Sequence, residues 1–333
     1  MIDSKFCQRV VALFVLAMTL TPSALAAPPG FKERLKERIQ KRLEGDNQII
    51  GSSELAGLKV SYWLPAQCPS GQSPLIIFSH GFGGKSTQSK ALAYALSQAG
   101  YLVVAPDHGD ARSAIQGKEQ NRGPEVPFKD APSWSDKTYM DRGKDIAALI
   151  NALQQNPRWS CRIDWDKVAL AGHSLGGYTV LGLAGAWSQW PAPKIKAVLA
   201  LSPYCAPYLI DNRLAGIKVP VMYQGGNRDF TITPQLEGPI GAFSKTPAPA
   251  YLVEFDQVGH LGWTNFNQKQ EQSDLINHYA IVFLIAMSKD LKKQSPANNY
   301  RASTTYKLNR SVSKQFHSRE LLHHIGFVAD ARF

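Results

Sequence analysis

The sequence predicts an α/β fold, a single mostly parallel twisted sheet with helices on both faces, and three observations carry that prediction. From Leu58 onward, short apolar, β-branched runs alternate with helix-length segments. The small-residue turn Ala171-Gly172-His173-Ser174-Leu175-Gly176-Gly177 stands between a strand-like run, Val168 to Leu170, and a helix-like stretch, Tyr178 to Trp187. Two later apolar runs are each followed by a polar, ionisable residue, Asp229 and His260.

Residues 1 to 26 carry Lys5 and Arg9, an apolar run from Val10 to Leu20, Pro22, and small residues at Ala24 and Ala26. This is the pattern of a secretory signal peptide cut after Ala26, which predicts a periplasmic or secreted protein. The segment 27 to 52 contains Phe31 to Leu43, whose Phe31, Leu35, Ile39 and Leu43 share one helical stripe among charges. We read it as a basic amphipathic leader, followed by a folded domain over 53 to 288 and a basic, weakly ordered extension over 289 to 333. The net charge of +11 is uneven, with +4 in residues 1 to 44, +6 in 289 to 333 and +1 between them. A nearly neutral centre argues against nucleic acid as a partner and leaves only the tails to meet an anionic surface.

Within the domain, Leu58 to Leu64 alternates apolar and polar residues as an outer antiparallel strand does. Leu75 to Phe78 is the first buried strand and runs into Ser79-His80-Gly81-Phe82-Gly83-Gly84. A helix over Gln88 to Gln98 stops at Gly100, and Tyr101 to Ala105 is the next strand. Asp110 to Lys137 has no sustained period, the profile of a lid or binding loop, in which Val126, Phe128 and Trp134 either face substrate or pin the loop. A helix over Tyr139 to Leu153, the elbow strand and its helix, strands at Ala197 to Leu201, Val219 to Gln224 and Tyr251 to Phe255, and a helix over Gln272 to Met287 complete the domain.

After signal cleavage three cysteines remain, so at most one pair forms. Cys68 and Cys161 both precede strands, which places them at the same sheet edge and predicts their disulfide; Cys205 lies at the opposite edge. Their spacings suit no zinc site, and no cofactor is implied.

The turn at 172 to 176 reads G-x-S-x-G, a strand-to-helix elbow that exposes a serine hydroxyl. Such a hydroxyl needs a base in hydrogen-bond reach, and the base needs an orienting acceptor. His260 and Asp229 fall beyond carboxyl ends of strands, in the chain order Ser, Asp, His; Asp256 and Asp211 compete for the acidic role. Charge that develops on a substrate oxygen calls for backbone donors, here the N–H groups of Leu175 and of Phe82. Trp263, Tyr204 and Trp134 stand near these loops and suit either a substrate pocket or ordinary core packing.

The segments FSHGFGG (78 to 84), APDHGDARS (105 to 113), GHSLGG (172 to 177), GGNRD (225 to 229) and VGH (258 to 260) together resemble an α/β-hydrolase. The branch is that of dienelactone-hydrolase-like, platelet-activating-factor acetylhydrolase-like and cutinase-like polyester esterases. The resemblance covers roughly Ser53 to Met287 and implies an α/β-hydrolase fold in which Ser174, Asp229 and His260 act as nucleophile, acid and base, with Phe82 and Leu175 as oxyanion donors. It departs from a dienelactone hydrolase proper, which uses a cysteine nucleophile, and it does not include the extension after Lys289. The expected activity is cleavage of a small-molecule or polymeric ester through an acyl-enzyme. A serine peptidase or amidase on the same fold and a non-catalytic binding protein are the competing expectations.

Overall fold

The structure, a computed structural model, describes residues 51–65, 71–111, 123–267 and 269–288 and the backbone of 305–308. Its strands are Gly51–Leu55 (β1), Leu58–Trp63 (β2), Ser73–Ser79 (β3), Leu102–Pro106 (β4), Ile163–His173 (β5), Ala197–Leu201 (β6), Val221–Gly226 (β7), Ala250–Phe255 (β8) and Thr305–Leu308 (β9). They form one sheet in the order β1-β2-β4-β3-β5-β6-β7-β8-β9. β1 and β2 are antiparallel to their neighbours and all other pairs are parallel. The longer helices are Lys90–Gln98 (α1), Met140–Gln155 (α2), Leu175–Leu181 (α3) and Gln270–Ser288 (α4).

The apolar runs form central strands because each side chain finds cover on one face or the other. Leu75, Ile77, Leu170, Val198 and Tyr223 share one buried cluster with Ile146, Leu149 and Leu153 of α2 and with Tyr178 of α3. Ile76, Phe78, Ala171, Leu199 and Met222 point the opposite way, onto Leu92 and Leu96 of α1 and Ile276, Phe283 and Leu284 of α4. This period-2 division between two covered faces makes the strands read as continuous apolar runs.

β1 begins at Gly51, inside the stretch read as leader, because GSSEL offers a single buried residue, Leu55, to announce an edge strand. β5 begins five residues earlier than its apolar run indicates. Ile163 and Asp164 pair with Ser73 and Pro74, the register then shifts, and Val168 resumes opposite Leu75. Thr305–Leu308, from the segment read as an extension, pairs in parallel with β8. In the long loop, the part over 112–122 lies outside the described residues, whereas Ala131–Ser133 forms a 3-10 turn.

The predicted disulfide is corrected. Cys161 is an exposed free thiol at the end of the short helical turn Pro157–Ser160, with its Sγ–H donated to the Pro157 carbonyl at 3.2 Å. Cys205 is also free, and Cys68 lies outside the described residues.

The strand-to-helix contact at the elbow depends on Gly176. A Cβ there would lie 2.0 Å from the backbone oxygen of Ser79. Gly176→Ala is therefore expected to lose at least about 2 kcal/mol of stability, since β3 and α3 would have to part. A denaturant midpoint unchanged from wild type would contradict this close approach.

Candidate active site

β5 delivers the chain to Ser174 with the backbone at φ 55°, ψ −116°, a conformation that L-residues seldom adopt. Three hydrogen bonds hold it there. The Ser174 N–H donates to the Leu201 carbonyl (3.0 Å), and the Ser174 carbonyl accepts from Tyr178 N–H (3.1 Å) and Tyr204 N–H (3.0 Å). The result is a partly exposed hydroxyl at the start of α3, where the helix dipole favours negative charge.

The loops after β7 and β8 meet that hydroxyl. His260 Nε2 lies 2.9 Å from Ser174 Oγ, and His260 Nδ1 lies 2.8 Å from Asp229 Oδ2. Ser202, one residue past β6, donates its hydroxyl to Asp229 Oδ2 and sits 2.8 Å from His260 Nδ1. Burial alone would raise the Asp229 pKa, but hydrogen bonds from His260, Ser202 and the Ile232 N–H hold it below the usual carboxylate range. The carboxylate is thus an anion that fixes one imidazole nitrogen as donor and leaves the other facing the hydroxyl. Asp211 and Asp256 are engaged elsewhere, with Arg213 and Asn227.

The loop after β3 closes on the same point. A Cβ on Gly81 would lie 3.4 Å from Ser174 Cβ, which is how near this backbone passes. The N–H groups of Gly81 and Gly83 go to Gln88 Oε1 (3.0 Å) and Asp110 Oδ2 (3.0 Å), with the Phe82 N–H between them. Beneath the loop, the fully buried Arg142 donates to the carbonyls of His80 (2.8 Å) and Gly81 (3.3 Å) and to both oxygens of Asp110 (2.9 and 3.0 Å). Although burial pushes its pKa up, the guanidinium brings Asp110 down to about 2.

A second Ser–His–Asp line has similar spacing. Ser79 Oγ lies 2.9 Å from His108 Nε2, and His108 Nδ1 lies 2.9 Å from Asp145 Oδ2. Ser79 and His108 are both wholly buried, and burial holds the imidazole neutral, with its pKa well below the ordinary value. This line braces the carboxyl ends of β3 and β4 under the loop. Among the described residues no cluster of three or more His, Cys, Asp or Glu side chains is arranged for a metal ion.

The three aromatic residues named from the sequence prove to be packed. Trp263 is buried behind His173 and donates its Nε1–H to Gln224 (2.9 Å). Tyr204 donates its hydroxyl to the Phe128 carbonyl (2.7 Å) and Trp134 its indole N–H to that of Pro127 (3.2 Å); both are buried. Their rings pack edge-on or tilted against each other and against Phe128 and Tyr178, and so pin the 123–137 loop to α3. Exposed apolar side chains stand close in sequence to Asp229 and His260, at positions the sequence reading did not single out. Phe230 and Leu261, next in sequence to Asp229 and His260, and Phe266 of the same loop as Leu261 are exposed by 75%, 47% and 72%.

The family model described as serine aminopeptidase, S33 matches residues 72–224. The chain is 29% identical over 137 residues to the platelet-activating factor acetylhydrolase of Bos taurus, covering 32% of this chain and 31% of that protein. It is 30% identical over 134 residues to esterase YjfP of Escherichia coli, covering 40% of this chain and 49% of that one. It therefore spans between about a third and a half of the length of these relatives. The dienelactone hydrolase of Anabaena variabilis superposes with a TM-score of 0.51 at 18% identity, over 70% of this chain and 93% of that chain, a likeness of fold.

Proposed function

We propose that this chain, which has the α/β-hydrolase fold and matches the serine aminopeptidase, S33 family model over residues 72–224, is an exported serine hydrolase that cleaves carboxylic esters through an acyl-enzyme on Ser174. The observation that carries the reading is the single imidazole of His260, within 3 Å of both the Ser174 hydroxyl and the Asp229 carboxylate. His260 Nε2 takes the Ser174 proton as Oγ attacks the carbonyl carbon, and Asp229 stabilises the imidazolium that forms. The N–H groups of Phe82 and Leu175 receive the charge on the carbonyl oxygen. Collapse of that intermediate expels the alcohol, which takes the proton from His260. Water then repeats the sequence on the acyl-enzyme and restores Ser174.

Ester chemistry is favoured by the names of the curated relatives, whereas the family model's description favours a serine peptidase or amidase. The exposed Phe230, Leu261 and Phe266 support an ester with acyl, aryl or polymeric apolar groups. The leader sequence supports a periplasmic or secreted location, and the basic tails support contact with an anionic surface.

The test asks which serine is labelled. A fluorophosphonate is expected to modify Ser174, with labelling lost in Ser174→Ala and kept in Ser79→Ala. The buried Ser79 has no approach for an electrophile, so label on Ser79, or none on the wild type, would sink the proposal. Anilide turnover matching that of the ester with the same acyl group would move the assignment to an amidase.

A further inference from the structure

We infer that Gln88 and His173 are positioning residues for this reaction: one hydrogen-bonded line through their side chains holds the oxyanion-donor loop in register with the loop that carries His260. The inference rests on Ser174 being the nucleophile. Neither side chain bonds to a triad side chain, and no sequence motif brings Gln88 to attention.

The line runs from one backbone group to another. Gly81 N–H donates to Gln88 Oε1 (3.0 Å), Gln88 Nε2 lies 2.8 Å from His173 Nδ1, and His173 Nε2 lies 2.7 Å from the His260 carbonyl oxygen. An amide N–H can only donate and a carbonyl can only accept, so the two ends fix every proton between them. The Gln88 oxygen must face Gly81, its NH₂ must donate to Nδ1, and His173 must carry its proton on Nε2. The same two segments are joined a second time, by the Asn265 N–H donating to the Gln88 carbonyl (2.9 Å).

His173 is suited to this as a neutral linker. Burial takes its pKa down to about 3, with His260 adding to the fall and its bond to the His260 carbonyl and the Asp229 charge opposing it. Both ring nitrogens are engaged, so His173 is not a second base. It joins the elbow to both neighbours at once, since its backbone precedes Ser174 while its ring ties Gln88 to His260. Phe82 N–H belongs to the peptide next to the one that Gln88 holds, and the His260 imidazole hangs from the residue whose carbonyl His173 holds. Loss of the line lets the oxyanion donor and the base shift independently of Ser174. A misplacement of about 1 Å is enough to lower a rate about 100-fold.

The test uses the full chain with two substitutions. Gln88→Leu removes both side-chain bonds and is expected to lower kcat about 10- to 100-fold with KM within about twofold, after normalisation to sites titrated with fluorophosphonate. Gln88→Glu keeps an acceptor for Gly81 N–H but has no donor for Nδ1. Both contacts of His173 then require an imidazolium, so activity should fall as pH rises through its titration, an alkaline limb the wild type lacks. Long-range ¹H–¹⁵N spectra of the wild type should show His173 protonated on Nε2 alone from about pH 5 to 9. Protonation on Nδ1 would overturn the inference, as would Gln88→Leu with kcat within twofold of wild type or Gln88→Glu with a wild-type pH profile. A wild type without label on Ser174 refutes the underlying reading instead, and the tautomer is read without turnover.

Discussion

His260→Ala is expected to lower kcat/KM for a short-chain aryl ester by at least about 10⁴-fold while the protein remains folded. The rate falls because no other group near Ser174 Oγ can take its proton. His173 has both ring nitrogens engaged and a pKa held to about 3, with burial as the main cause. Ser202 faces Asp229 and the far nitrogen of the imidazole. The fold survives because the His260 side chain is 34% exposed, so truncation opens no sealed cavity. Nor does it strand the buried Asp229, which keeps the Ser202 hydroxyl and the Ile232 N–H as donors. Activity and thermal stability measured on the same preparation separate the two effects. A variant that retained more than about 1% of the wild-type rate would mean that His260 is not the base.

Three residues of that arrangement were legible because each follows an apolar run at the carboxyl edge of the sheet. The same rule points at Ser202, one residue past the strand that ends at Leu201, yet serine is so common in turns that the position alone gives no signal. Gln88 and Arg142 were hidden for a different reason. Each sits in or beside a helix where a polar side chain reads as solvent-facing, and only the loop brought over it by the fold gives it partners. The aromatic residues show the converse ambiguity. Trp263, Tyr204 and Trp134 lie in the right loops, but sequence cannot say whether a ring points out of the sheet edge or back beneath it. Edge strands were similarly faint, since β1 buries only Leu55 and so lacks the alternation that marked β2.

Arg142→Leu is expected to destabilise the protein by about 3–5 kcal/mol and to reduce kcat as well. The guanidinium is fully buried, and its loss takes the donor from the Asp110 carboxylate and from two backbone carbonyls at once. Asp110, whose side chain is only 17% exposed, would keep the Gly83 N–H but lose both guanidinium bonds. Burial, which now raises the Asp110 pKa against the pull of Arg142, would then act with no cation beside it. The carbonyls of His80 and Gly81 would lose the donor that sets the loop on which Phe82 N–H is aimed. Stability and catalysis can be separated by adding Asp110→Asn, which keeps an acceptor for Gly83 N–H without the stranded charge. The double variant should recover part of the lost stability, because an unpaired buried charge is the costliest element. It should recover little of the rate, because the two carbonyls still lack Arg142. A melting temperature for Arg142→Leu within about 3 °C of wild type, less than 2 kcal/mol for a domain of this size, would show that the guanidinium does not hold the loop.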